Sequence, residues 1–245
     1  MSQVMKGYKA RGVVLSTVKY GDSGMVVQML TDCYGRQSYM VQGVRSSRGR
    51  GSKMALFQPL FMLRFEGLES NHSDLHKMRE VQNDVVFSSI PYDVRKSTIA
   101  LFMAEVLYRL IGESEANEAL FEFVYTSVEA LDRMEEGVAN FHLWFLANLS
   151  RHLGYFPGNS HRKGDIFDMR EGLFVATQPL HDATMNEAEA EMLRDLLECD
   201  LDCLGEIPLN RAQRVAMLTR LVEYYAIHLE AIRSVRSIEI LQEVF

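Results

Sequence analysis

Three runs decide the fold: YKARGVVLSTVK (Tyr8 to Lys19), MVVQMLT (Met25 to Thr31) and RQSYMVQGV (Arg36 to Val44). Each is rich in β-forming residues, and Tyr20-Gly21-Asp22-Ser23-Gly24 and Asp32-Cys33-Tyr34-Gly35 between them are strong turn signals. They predict a meander of three short strands. Leu60 to Glu66 alternates, with Phe61, Leu63 and Phe65 on one face and Met62, Arg64 and Glu66 on the other, so a fourth strand is expected there. Asp74 to Val86 reads as a fifth strand or a strand leading into a linker. Five short strands within about 80 residues, mostly joined by tight turns, point to a small closed or nearly closed barrel.

After Ser88-Ser89-Ile90-Pro91 the hydrophobic period changes from two to that of a helix. Ile99, Phe102, Met103, Val106 and Leu110 keep helical spacing, and Leu120, Val124, Val128 and Leu131 repeat it. A third helix from about Val138 carries Phe141, Phe145, Leu149 and Leu153 and stops at Gly154-Tyr155-Phe156-Pro157. Further helices are expected over Asn186 to Glu198, through Val215, Leu218, Val222, Tyr225 and Leu229 after Pro208 and Asn210, and around Ser234 to Val244. Ile166-Phe167-Asp168-Met169 and Leu173-Phe174-Val175-Ala176 flank Arg170-Glu171-Gly172, which reads as an inserted β-hairpin at about residues 165–176. The expected class is α+β, with a barrel domain over residues 1–80 and a mostly helical domain over 81–245.

A chain of 245 residues with 47% apolar and 24% charged residues is ordinary for a globular protein and excludes disorder, collagen and disulfide scaffolds. Three cysteines fit reduced thiols. The start MSQVMKGYKARG lacks an apolar run of signal-peptide length, and other apolar stretches are strand-sized or broken by charges, so a cytoplasmic protein without a membrane span is expected. The net charge of -7 hides an asymmetry: residues 1–80 hold 12 Lys and Arg against 6 Asp and Glu, while residues 81–245 hold 14 against 27. Nucleic-acid binding follows the local patch and not the total, which directs attention to the N-terminal third.

The segment Gly43 to Lys53 (GVRSSRGRGSK) has four cations, Arg45, Arg48, Arg50 and Lys53, six Gly or Ser residues and no acid. Such a stretch suits a phosphate backbone; the plainer reading is a solvated surface loop. It is not a nucleotide-cradling loop, since G-x-x-x-x-G-K-[ST] is absent. Lys6, Lys9, Arg11, Lys19 and Arg36 extend the basic character, and Tyr20, Tyr34 and Tyr39 among them could stack bases or simply pack in the strands. Cys199 and Cys203, and His72 and His76, share a spacing of four without a second pair at finger spacing, so no metal site is expected. His142 and His152 on the third helix read as packed or surface imidazoles. H-E-x-x-H, G-x-S-x-G and a strand-linked G-x-G-x-x-G are all missing, which argues for binding and not turnover. Leu120 to Tyr125 and Phe141 to Leu146 are apolar around more than one helical face. Core packing is the simpler account, while an exposed remainder beside Arg109, Arg133 or Arg151 would suit an acidic or amphipathic peptide.

The ordered motifs carry a resemblance. Gly12-Val13-Val14-Leu15 before Tyr20-Gly21-Asp22, Thr31 with Gly35-Arg36, Gly43-Val44-Arg45, and Phe57-Gln58-Pro59-Leu60 resemble the N-terminal domain of the bacterial recombination mediator family RecO. Ala119-Leu120-Phe121, Ala130-Leu131-Asp132, Leu153-Gly154-Tyr155-Phe156-Pro157, and His228-Leu229 before Ser234 and Leu241 continue it over nearly the whole chain. The resemblance implies an oligonucleotide-binding (OB) barrel followed by a helical domain, in a non-enzymatic, cofactor-free protein of DNA repair, recombination and the SOS response. Members of the RecF pathway bind single- and double-stranded DNA, anneal complementary strands, grip the acidic, hydrophobic C-terminal tail of the single-strand-binding protein SSB, and act with RecR so that RecA replaces SSB. The location implied is cytoplasmic, at the nucleoid during repair. On this reading Lys9, Arg11, Lys19, Arg36, Arg45, Arg48, Arg50 and Lys53 face DNA, Tyr20 and Tyr39 are candidates for base stacking, and Arg109, Arg133 and Arg151 for the SSB tail. Many members carry two C-x-x-C pairs of a zinc ribbon after the Leu-Gly-Tyr-x-Pro motif. Gly158 to Pro179 here has no cysteine, so this chain is expected to lack that zinc, with Ile166, Phe167, Phe174 and Val175 supplying the cohesion and Arg162 and Lys163 still nearby. A protein-only adaptor using the barrel as an interaction module, and a metal-dependent nuclease, are the rival readings.

Overall fold

The computed structural model describes residues 7–22, 24–42, 53–68, 75–112 and 116–245. The chain divides into two compact units, Met1–Tyr92 with Met103–Glu129, and Asp93–Phe102 with Ala130–Phe245. The expected boundary after residue 80 does not coincide with this division, because part of the helical sequence belongs to the barrel's unit.

The first unit is built on a closed barrel of β1 (Gly7–Tyr20), β2 (Gly24–Thr31), β3 (Gly35–Val41), β4 (Met62–Leu68) and β5 (Leu75–Asn83) in the order β1-β2-β3-β5-β4. All neighbours are antiparallel except β3 and β5, whose parallel ladder joins Ser38–Met40 to Leu75–Lys77. Closure depends on the length of β1. Its first half pairs with β4 and its second half with β2, and a register shift between Val14 and Ser16 bends it from one partner to the other. Gly12 pairs on both sides at this crossing, and a Cβ there would meet the Met29 methyl at 2.7 Å. Inward positions fill the barrel with Ala10, Val14, Val27, Met29, Tyr39, Val41, Leu63 and Phe65. The fifth strand is real, and a short 3-10 helix (Lys53–Phe57) that the periodicity did not signal precedes β4.

Two helices, α1 (Val94–Leu110) and α2 (Glu118–Arg133), run through both units. The second unit centres on α3 (Val138–Leu153), whose Phe141, Leu143, Phe145, Leu146 and Leu149 are fully buried. Its apolar character on several faces is therefore core packing, against α4 (Glu187–Glu198) and α5 (Arg211–His228). Asn186 and Asn210 start these two helices, each in a reciprocal capping box with Glu189 and Gln213. A last helix, α6 (Ser237–Val244), follows a 3-10 turn at Glu230–Ser234. The inserted hairpin is present as β6 (Ile166–Asp168) and β7 (Leu173–Val175), with a two-residue third strand, β8 (Thr184–Met185), too short to read from sequence.

Candidate nucleic-acid interface

Strand alternation sends Lys9 and Arg11 of β1 outward and, after the register shift, Val18 and Tyr20, while Lys19, opposite the buried Met25, stands on the other face of the strand end; the surroundings of these residues differ. Lys9 stands opposite Glu66 in the β1–β4 register. Arg11 is enclosed: its Nη2 donates to Glu122 Oε1 at 2.7 Å and its Nε to Asp32 Oδ2 at 3.4 Å, with its carbon centre 5.2 Å from the Phe121 ring and 5.0 Å from the Tyr125 ring. Burial would lower its pKa, yet the two carboxylates raise it. Tyr125 in turn donates to Asp84, which also binds Arg64. Arg11 is thus a fastening between the barrel and α2, which accounts for this stretch of helix belonging to the barrel's unit, and not a cation held out for DNA. Arg36 is similarly used, donating to the Tyr108 carbonyl at 2.6 Å in the last turn of α1, where a helix C-terminus favours a cation. Tyr108 has Arg36 5.3 Å and Arg109 5.5 Å from its ring.

Among the described residues the other end of β1 is exposed. Tyr20 is 58% exposed and Val18 59% exposed beside the β1–β2 turn, and Lys19 enters no ion pair among the described residues. From there the outer face crosses the barrel in register, Val18 opposite Val26, Val26 opposite Met40 and Met40 beside Lys77. The β2–β3 face and the β1–β2 turn are where OB barrels receive oligonucleotides. The sequence reading missed Lys77, Val26 and Met40, because only the parallel β3–β5 register sets Lys77 beside this face. Tyr39 is a correction. It is fully buried, packs edge-on against Phe65 with centroids 4.9 Å apart, and its hydroxyl meets that of Tyr8 at 2.8 Å. Burial pushes its phenol well above the ordinary range, and no base can reach it. Tyr34 leans on the Tyr8 ring at 4.4 Å. Arg45, Arg48 and Arg50 lie outside the described residues, as does the side chain of Lys53.

In the second unit, Arg151 and Arg133 line different grooves. Arg151 sits 3.6 Å from the Phe156 ring centre and lines a groove of about 190 Å³ with Arg194, His161, Pro157, Phe174 and Leu197. Arg194 binds Asp195 and Glu191 at one side, and Glu198 completes the wall. Arg151 against an apolar floor suits an acidic, apolar peptide, while the charge of Arg194 is already met by Asp195 and Glu191; Arg194 and His161 carried no pattern that would have singled them out. Arg133 instead has Glu135, Glu136 and Asp202 around its groove, the wrong charge for such a ligand.

The segment after Pro157 is held by side-chain hydrogen bonds and ring packing. Asn159 holds it, donating to the Phe174 carbonyl at 2.8 Å and accepting from the Phe174 amide at 2.8 Å, while Asp168 accepts the Arg170 and Glu171 amides in the turn. Phe167 and Phe174 are buried with ring centroids 5.0 Å apart, whereas Ile166 and Val175 are only half-buried. Among the described residues no group of three or more His, Cys, Asp and Glu could hold a metal ion. His76 contacts Gln37 at 3.1 Å, His142 is fully buried with its pKa pushed down to about 3 by burial and then by Arg214, and the Cys33 thiol is pushed up to about 12 by burial and Asp32. No helix among the described residues is long and apolar enough to cross a membrane.

The family signature described as "Recombination protein O N terminal" matches residues 5–83, and "Recombination protein O C terminal" matches residues 91–236. Proteins named DNA repair protein RecO are similar along nearly their whole length. That of Bacteroides fragilis is 38% identical over 239 residues, and that of Flavobacterium psychrophilum 36% over 238, in both cases spanning 97% of this chain and 98% of the relative. That of Porphyromonas gingivalis is 32% identical over 241 residues, 96% of this chain and 98% of its own. A closed barrel in OB order, a helical unit with an inserted small sheet, and both signatures in sequence order establish that the chain belongs to the RecO family of DNA repair proteins.

Proposed function

We propose that this protein is a non-enzymatic recombination mediator of the RecF pathway, in which the barrel sequence (residues 1–80) holds DNA and the helical sequence (81–245) receives protein partners. The observation that carries the reading is the exposed end of β1: Tyr20 and Val18 share a face that Val26, Met40 and Lys77 continue, and Lys19 is exposed on the other side of the same strand end. The sequence between β3 and the 3-10 helix adds Arg45, Arg48 and Arg50, and the helix itself begins with Lys53. Cations along a backbone and an aromatic for bases make a sequence-tolerant site for single strands, with duplex DNA held by the cations alone. Screening two backbones at once lets complementary strands meet and anneal. The groove at Arg151 takes the acidic, apolar tail of SSB, and with RecR the protein lets RecA replace SSB on the strand; it works in the cytoplasm, at the nucleoid.

Anisotropy of labelled single-stranded DNA at several salt concentrations tests the DNA part. Changing Arg45, Arg48, Arg50 and Lys53 together to Ala is expected to flatten the slope of log affinity against log salt by about 0.7 for each phosphate no longer neutralised; an unchanged slope removes the segment from the site. A labelled SSB-tail peptide should bind the wild type and lose affinity in Arg151→Ala. Peptide binding without DNA binding would favour a protein-only adaptor, and magnesium-dependent strand cleavage would favour a nuclease.

A further inference from the structure

A second groove in the helical unit has the opposite electrostatic character. It encloses about 420 Å³ between the α2–α3 turn and the 3-10 helix at Leu201–Glu206. Ala130, Met134 and Leu201, all half-buried, make an apolar floor, and Glu135, Glu136 and Asp202 stand exposed at its rim. None of these three carboxylates enters an ion pair among the described residues. Arg133 is the cation lining it; the buried Lys96 donates to the Asp132 carbonyl at 2.9 Å and lies in the field of the Asp132, Asp93 and Glu135 carboxylates, which offset its charge.

The walls are held in place before anything binds. Gly137 has a left-handed φ of 76°, and a Cβ there would lie 2.8 Å from the Gly205 amide nitrogen, so the turn and the 3-10 helix touch backbone to backbone. Asn140 donates to the Leu204 and Ile207 carbonyls at 3.2 and 3.0 Å, and Trp144 donates to the Cys199 carbonyl at 3.0 Å, tying both ends of the 3-10 helix to α3. Preorganised walls reduce the ordering cost of binding. Met134 in the floor can repack around side chains of different shape.

We propose that this groove docks a segment of a partner protein that presents a Leu- or Met-sized side chain flanked by Lys or Arg. The apolar floor takes the central side chain and the three rim carboxylates take the flanking cations. The same rim repels phosphate, so the face is a protein site and not a continuation of the nucleic-acid surface. It is distinct in residues and in sign from the groove at Arg151, and it does not depend on the assignment of that groove.

The test uses the full-length protein and a fluorescein-labelled peptide, Gly-Arg-Leu-Leu-Lys-Gly, with two comparison peptides in which Glu replaces Arg and Lys or Ala replaces both Leu. Saturable binding of the first peptide alone, weakened at least tenfold by Glu136→Lys with Asp202→Lys and also by Leu201→Ala, is the expected result. Glu230→Lys with Glu239→Lys, the same charge change outside the groove, should leave it unaltered. Absence of saturable binding, equal loss in both charge-reversal variants, or undiminished binding of the peptide lacking Leu would overturn the proposal. So would loss of DNA affinity in Glu136→Lys with Asp202→Lys, which would assign the face to nucleic acid. Sedimentation of the wild type and that variant covers the last occupant: self-association abolished by the substitutions would overturn the partner assignment and make the groove an interface between copies of this chain.

Discussion

The two ends of β1 put the same kinds of residue to different uses. At one end Arg11 is enclosed by Asp32, Glu122 and two aromatic rings; at the other Lys19 and Tyr20 stand exposed beside the β1–β2 turn. Both stretches are basic and aromatic in sequence. A cation whose charge is already matched by carboxylates releases no counterion from DNA, so the function proposed above draws its salt dependence from the second end and not from Arg11. The same contrast holds between Tyr20, 58% exposed, and Tyr39, with no exposed surface.

Removing the wrong member of each pair breaks the comparison, and the largest effect is expected at Tyr39. Tyr39→Ala should destabilise the protein by about 3–5 kcal/mol, as other large aromatic truncations in packed cores do, measured by urea unfolding. A loss below about 1 kcal/mol would place the ring outside the core's energetics.

His142 extends the contrast to the helical unit, as a polar residue absorbed into a core. Its folded pKa of about 3 lies below the ordinary 6.5, so the unfolded chain takes up a proton that the native state refuses. The stability belonging to the neutral ring is complete above pH 6.5 and is lost as pH falls toward 3. About 2 kcal/mol should disappear between pH 7 and pH 5. His142→Gln should make that acid limb shallower by the same amount; parallel limbs in wild type and variant would show that the ring is protonated in the fold.

Arg11→Ala comes next. It should cost about 1–2 kcal/mol in stability, from two partly exposed ion pairs and two ring contacts, while the salt slope of DNA binding stays where it was. A flattened slope would return Arg11 to the DNA site. The smallest effect sharpens the comparison from the exposed end: Tyr20→Ala should leave unfolding unchanged and weaken single-stranded DNA by about 1 kcal/mol, the low end of base stacking on an aromatic ring. Exposed at the turn, Tyr20 stands outside the barrel core, so its removal reads on binding and not on folding.

Much of the architecture was legible because it follows from local periodicity. Alternation at Leu60 to Glu66 and helical spacing at Ile99 to Leu110 each imply an element whatever the rest of the chain does. Asn186 and Asn210 announce their helices because a capping side chain acts within three residues. Thr184–Met185 could not be found this way, since two residues carry no period. The candidate site was less legible, because a strand pattern tells which residues alternate and not which face is filled by neighbours.

From the amino-acid sequence alone came the order of strands and helices, the basic N-terminal third against the acidic remainder, and the cysteine-free segment after Leu153-Gly154-Tyr155-Phe156-Pro157. These are properties of chain neighbours or of composition, and no folding is needed to read them. Tertiary structure alone decided that Arg11 meets Glu122 across 111 positions, that Met40 lies beside Lys77, and that Asn159 clasps Phe174. Each of these depends on which distant groups share a few ångströms, where a charge is either neutralised or left to act, and that distance is set by packing and not by spacing along the chain.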